Sequence, residues 1–223
     1  MSIAENLRNI KASIPEDVTL VAVSKTKPID SIMEAYEAGQ RIFGENKVQE
    51  MVAKYDQMPK DIQWHMIGHV QRNKVKYMAS FVDLIHGVDN LRLLQEINKQ
   101  AQKHQRTIHC LLQIKIASEE SKFGMDKKYI ENILTSDEFV LLKNIKIVGF
   151  MGMATFTDDH NVIEREFRSL KAAFDEFKNI ETDNCEMKTI SMGMSGDYQT
   201  AIKCGSNMIR VGSSIFGERV YSN

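Results

Sequence analysis

Eight short apolar segments recur along the chain, and nearly all are followed by a stretch whose apolar residues repeat at helical spacing. They occupy residues 18–24, 41–45, 62–68, 81–88, 107–116, 145–151, 187–192 and 208–211. The first unit shows the logic. Pro28 opens the segment after residues 18–24, Ile29, Ile32, Met33 and Tyr36 share one helical face, and Gly39 lies just past its end. Proline in a first turn and glycine past a last turn bracket a helix. Further helices are predicted over 47–57, 71–78, 90–104, 126–135, 162–177 and 196–204, with a last turn from Ile215. Strands that are apolar throughout are those buried on both faces of a parallel sheet. Eight such units within 223 residues predict a single α/β domain over 1–223, a (β/α)8 barrel. An open doubly wound sheet is the competing arrangement. Ile3, Leu7, Ile10 and Ile14 add an amphipathic N-terminal helix outside the repeat.

Composition removes several functions. Lys plus Arg is 29 and Asp plus Glu is 30, a net charge of −1, which argues against a broad nucleic-acid surface. No apolar run reaches the roughly 18 residues of a membrane span. Glu5, Arg8 and Lys11 interrupt the N-terminus, so it does not read as a secretory signal. Cys110, Cys185 and Cys204 are odd in number and widely spaced, which suggests neither a disulfide framework nor a zinc site and fits a cytoplasmic protein.

Barrels of this kind place their chemistry at the C-terminal ends of the strands. Lys25 directly follows the first apolar segment. Partial desolvation there would favour its neutral amine and a Schiff-base role, against the plain reading of a surface lysine starting a loop. Lys27, before Pro28, reads as an outward loop residue. Near the C-terminus, Gly205 and Gly212-Ser213-Ser214 bracket the last apolar segment, where this fold commonly binds phosphate through backbone N–H groups. Ser191-Met-Gly-Met-Ser195 supplies a neighbouring hydroxyl-bearing loop, and Ser195 equally suits a helix cap. Arg210 lies inside an apolar strand, where its charge requires a ligand or a carboxylate.

Weaker candidates are Gly44-Glu-Asn46, Trp64-His65 and the loop Lys122-Phe-Gly124-Met125. His65 and His69 are four apart, but a strand running into a loop does not converge them as a helix would, so no metal is expected. Met151, Met153, Met192 and Met194 read as core and pocket lining. A strand-one lysine, a strand-eight arginine and a glycine–serine phosphate cup together suit a phosphorylated aldehyde such as pyridoxal 5′-phosphate.

Six stretches carry a family resemblance. They are Leu20-Val-Ala-Val-Ser-Lys-Thr-Lys-Pro28, Phe43-Gly-Glu-Asn46, Trp64-His-Met-Ile-Gly68, Gly149-Phe-Met-Gly-Met153, Ser191-Met-Gly-Met-Ser195 and Arg210-Val-Gly-Ser-Ser-Ile-Phe-Gly217. In this order they resemble the small pyridoxal phosphate homeostasis proteins of the YggS/PROSC/YlmE group. That group has an alanine-racemase N-terminal-domain type TIM barrel. The resemblance implies that Lys25 holds the cofactor as a Schiff base and that Arg210 faces its pyridine nitrogen. It implies Ser195, Gly212 and Ser213 at the phosphate, Asn46 and His65 near the cofactor, and Ser191 and Met192 beside it.

A guanidinium donates and has no acceptor, so Arg210 would leave the pyridine nitrogen unprotonated and weaken its electron withdrawal. Related racemases compensate with a tyrosine from a C-terminal β domain, which is expected to be absent here. The expected role is therefore a monomeric carrier that buffers pyridoxal phosphate and delivers it to apo-enzymes, affecting amino-acid and keto-acid balance. A racemase or decarboxylase of low activity is the alternative, and an aldolase-like barrel acting on a sugar phosphate is a third reading.

Overall fold

The structure, a computed structural model, describes residues 2–117 and 123–218. Helix α1 (Ile3–Ala12) precedes β1 (Thr19–Val23), α2 (Ile29–Glu37), β2 (Ile42–Glu45), α3 (Val48–Gln57) and β3 (Gln63–Met66). A 3-10 turn, Arg72–Lys74, runs into α4 (Val75–Met78), followed by β4 (Leu84–Val88), α5 (Leu91–Lys103) and β5 (Ile108–Gln113). Then come α6 (Lys127–Leu134), α7 (Asp137–Val140), β6 (Ile145–Met151), α8 (His160–Phe177), β7 (Glu181–Thr182), β8 (Cys185–Ser191), α9 (Tyr198–Lys203), β9 (Met208–Val211) and α10 (Ser213–Phe216).

β1 through β6 pair in sequence, all parallel. β6 pairs with β8, β8 with β9 and β9 with β1, again parallel. These last pairings close a ring of eight strands, so the arrangement is the barrel and not the open sheet. The ninth strand, β7, was not expected from the sequence. It is a two-residue antiparallel addition to β8, too short to carry a period. Asn184, which links the two, donates through Nδ2 to the carbonyls of Phe139 and Leu142 and ties the hairpin to α7. α7 is itself a separate turn capped by the Ser136 hydroxyl.

Two apolar clusters follow from the closure. The larger lies between strands and helices and includes Phe43, Trp64, Phe150 and Phe167. The smaller joins Val21, Leu84, Leu111, Val148, Met151 and Met208, which come from five strands and meet inside the ring. α1 packs its buried Leu7 and Ile10 against the barrel. Ser2 and Glu5 close a reciprocal capping box at its start, and Asn6 Nδ2 donates to the Ile215 carbonyl at 3.0 Å.

Where β6 meets β8 the register shifts between Ile147 and Gly149. Gly149 has φ of +151°, and a Cβ there would fall 1.8 Å from the Thr189 carbonyl oxygen. Only glycine permits this approach. Gly149→Ala is expected to destabilise the protein by about 2–4 kcal/mol, measured by urea unfolding. A change within ~0.5 kcal/mol would contradict this account of the closure.

Candidate functional site

The C-terminal ends of the strands surround a cavity of about 700 Å³. Lys25, Asn46, Ser195, Arg210, Gly212 and Ser213 all line it. His65, Ser191 and Met192 do not. Ser191 and His65 are buried beneath it, inside the ring, and Met192 is buried in the outer cluster. Of the methionines, Met151 and Met192 are core, while Met153 and Met194 face the cavity.

Lys25 is half-buried and stands at the end of β1 on a turn held from below. The residues on either side of it are bound to one ionic cluster. The Lys54 ammonium donates to the Ser24 carbonyl (2.8 Å), to Glu45 Oε1 (2.7 Å) and to Glu50 Oε1 (2.7 Å). The Ser24 hydroxyl donates to Glu45 Oε1, and the Thr26 N–H donates to Glu50 Oε1, each at 2.5 Å. Thr26 takes a left-handed φ of +64°, uncommon for a residue with a Cβ. This cluster offsets that strain and sets where the Lys25 Cα sits.

The side chains of Lys54 and Glu45 are 7% and 0% exposed. Burial pushes the Glu45 carboxyl above its usual range, opposed by Lys54. Its second oxygen has no hydrogen-bond partner among the described residues. Lys27 departs from expectation. It lines the cavity and donates to the carbonyls of Phe216, Gly217 and Glu218, each at 3.0 Å, pinning the loop after α10 to the loop after β1.

Arg210 is buried at the barrel mouth. It donates to Ser191 Oγ at 2.6 Å and to the Gly152 carbonyl at 3.1 Å. Burial lowers its pKa to about 10, with Asp197 acting in the opposite direction, so it stays protonated at neutral pH. Its backbone N–H donates to the Gly193 carbonyl at 2.9 Å, which docks β9 on the loop after β8. In the same loop Ser195 Oγ accepts from the Gly212 N–H at 3.2 Å, bringing hydroxyl and amide to one wall. A Cβ on Gly212 would press on Val23 at 3.2 Å.

His65 and His69 diverge. His65 turns inward to His86, whereas His69 stacks on Phe123 and pairs with Asp89 at 3.3 Å. Phe123 lines the cavity, and Met125 folds back on β5 through its N–H to the Gln113 carbonyl at 2.8 Å. Lys122 lies outside the described residues. Sequence reasoning passed over Lys54 and His86, and it named Glu45 only within the candidate stretch Gly44-Glu-Asn46, whereas the structure places its carboxylate beneath Lys25 with Lys54. For His86 the available signal was a polar residue inside an apolar strand, which also marks Arg210. For Lys54 it was a charge on the same helical face as Val48 and Met51.

Residues 1–220 match the family described as alanine racemase, N-terminal domain. The chain belongs to this family. It is 36% identical to the pyridoxal phosphate homeostasis protein of Vibrio alginolyticus, over 99% of this chain and 99% of that protein. It is also similar to PipY of Synechococcus elongatus, solved with pyridoxal phosphate bound. The TM-score is 0.87 at 32% identity, covering 97% of this chain and all of that one. An alanine racemase of Clostridium difficile shares the fold, with a TM-score of 0.80 at 15% identity, over 99% of this chain and 61% of that one.

Breaking a buried ion pair from one side leaves an uncompensated charge. Lys54→Met is therefore expected to destabilise the protein by about 3–5 kcal/mol at pH 8. The sign with pH follows from Glu45. Its folded pKa lies above the unfolded one, so the folded state binds more protons in between, and stability falls as pH rises through that window. The deficit of Lys54→Met should shrink as pH is lowered from about 8 to 5, measured by urea unfolding at each pH. A deficit that is constant or grows on acidification would show that Glu45 is not the stranded charge.

Proposed function

We propose that this chain binds pyridoxal 5′-phosphate at the C-terminal mouth of its barrel and acts in pyridoxal phosphate homeostasis. The observation that carries the proposal is the convergence of Lys25, Arg210 and the Ser195–Gly212–Ser213 wall on one cavity. An amine, a fixed guanidinium and a set of hydroxyl and amide donors match the aldehyde, pyridine nitrogen and phosphate of one molecule. When bound, the cofactor supplies an aldehyde that links reversibly to amines and a ring that withdraws electrons. Lys25 holds the aldehyde end as a Schiff base. Ser195, Gly212 and Ser213 hold the phosphate, and Asn46 contacts the ring. His65, Ser191 and Met192 support the site from beneath or behind it.

Arg210 donates to the pyridine nitrogen and keeps that atom unprotonated, because a buried guanidinium has no proton acceptor to offer. That weakens the ring's electron withdrawal and supports a carrier over a racemase or decarboxylase. The relatives' names, which are those of homeostasis proteins, support the same reading. On this proposal residues 1–223 work as one cytoplasmic, monomeric domain whose partners are apo forms of pyridoxal-phosphate enzymes. The three buried thiols, Cys110, Cys185 and Cys204, suit a reducing compartment.

The purified protein with added pyridoxal phosphate should show a visible absorbance band that borohydride fixes onto Lys25, located by peptide mass spectrometry. Lys25→Ala should abolish the fixed adduct, and Arg210→Ala should raise the dissociation constant about tenfold or more. Loaded protein should restore an apo-enzyme while turning over no amino acid itself. A protein that binds no pyridoxal phosphate overturns the proposal, and turnover of an amino acid would return the racemase reading.

A further inference from the structure

A line of polar side chains crosses the barrel interior beneath Arg210. Arg210 Nη1 donates to Ser191 Oγ at 2.6 Å, and Ser191 Oγ lies 3.0 Å from His86 Nδ1. His86 Nε2 lies 3.0 Å from His65 Nδ1, and His65 Nε2 faces Asp83 Oδ2 at 3.7 Å, within ion-pair range. The four inner members come from β9, β8, β4 and β3 and are all buried. Asp83 is half exposed and opens on a small cavity at the opposite end of the barrel, together with Thr19 and Ile42.

The contact with Asp83 is longer than a hydrogen bond, but the chemistry of the two ends favours one order of the protons between them. Arginine only donates, and an ionised carboxylate only accepts. His65 therefore turns its Nε2–H toward Asp83 and leaves a lone pair on Nδ1. His86 fills that lone pair with its own Nε2–H and leaves Nδ1 bare. Ser191 must then give its single O–H to His86 Nδ1, so its oxygen lone pair faces Arg210. In this arrangement both imidazoles are neutral, as burial favours for each, and no donor in the line meets another donor. The opposite orientation would point His65 Nδ1–H outward along the line and leave its Nε2 lone pair against the carboxylate.

We propose that His86 is a positioning residue that acts through Ser191. By taking the serine proton it turns the hydroxyl so that Arg210 is held at one angle in the cavity wall. Its importance for cofactor binding rests on the reading given above, whereas the proton order can be tested without any ligand.

The test begins with the ligand-free protein labelled with ¹⁵N-histidine and ¹⁵N-arginine. Long-range ¹H–¹⁵N spectra at neutral pH should show both His65 and His86 as neutral Nε2–H tautomers. An Nδ1–H tautomer or an imidazolium at His86 overturns the proposal. His86→Phe, which keeps a ring but no hydrogen bond, and Ser191→Ala should shift the Arg210 side-chain resonances alike. His86→Asn, whose carbonyl oxygen can replace Nδ1, should restore them.

With pyridoxal phosphate added, His86→Phe and Ser191→Ala should each raise the dissociation constant about tenfold and move the visible absorbance maximum. The double variant should do no more than either single one. Fully additive effects would mean that the two residues act independently and that no line exists. If the wild type bound no pyridoxal phosphate, the proposed function would fall while the tautomer and arginine resonances still decided the proton order.

Discussion

The ring closes where β9 meets β1 and where β6 meets β8, and the interior it encloses has room for little besides side chains from its own strands. Apolar residues from five strands fill part of that space. Elsewhere the inward positions are polar, and in a water-poor interior each polar group must be paired or it costs more than an apolar one. The line from Arg210 to Asp83 meets that requirement with side chains from four strands and the loop before β4. Arg210 can therefore stand charged at the mouth only while the strands beneath it keep their register.

Register also relates Lys25 and Arg210, which both line the cavity at the mouth. β1 and β9 run side by side, with Val21 opposite Arg210 and Ala22 opposite Val211. Val23 then lies beside Gly212, whose Cβ position is only 3.2 Å from the Val23 side chain. Lys25 follows two residues later on the turn that Lys54 and Glu50 hold. The amine and the guanidinium thus come from neighbouring strands whose offset is set by the ladder. A slip of one residue would turn Arg210 out of the ring.

Much of this was legible in the sequence. The eight apolar segments fall on the eight barrel strands, with ends differing by a few residues. Residues 107–116 shorten to Ile108–Gln113 because the chain leaves the ladder after an isolated bridge between Ile114 and Met125. The place of Lys25, Asn46, Ser195, Arg210, Gly212 and Ser213 in the cavity lining was legible because a strand end facing the cavity leaves a local signature of glycine, hydroxyl or charge after an apolar run. The support beneath them was harder to read. Lys54 meets Glu45 and Ser24 only after β1, β2 and α3 have packed, and no spacing in one segment encodes that meeting. His86 carried the same mark as Arg210, yet its partners sit 21 and 105 residues away. β7 was illegible because two residues cannot show a period.

The two supports differ in kind, and the difference bears on chemistry. Beneath Lys25 the network is ionic, with one ammonium shared by two carboxylates. Beneath Arg210 it is a run of neutral groups between a cation at one mouth and a carboxylate at the other. A proton added to His86 would put a second positive charge two hydrogen bonds from the guanidinium in a water-poor interior, and both His65 and Arg210 already oppose it. The line therefore fixes the angle of Arg210 without offering a proton to anything at the mouth. On the proposed function, a site built this way would hold a ring nitrogen firmly while activating it weakly, in keeping with a carrier.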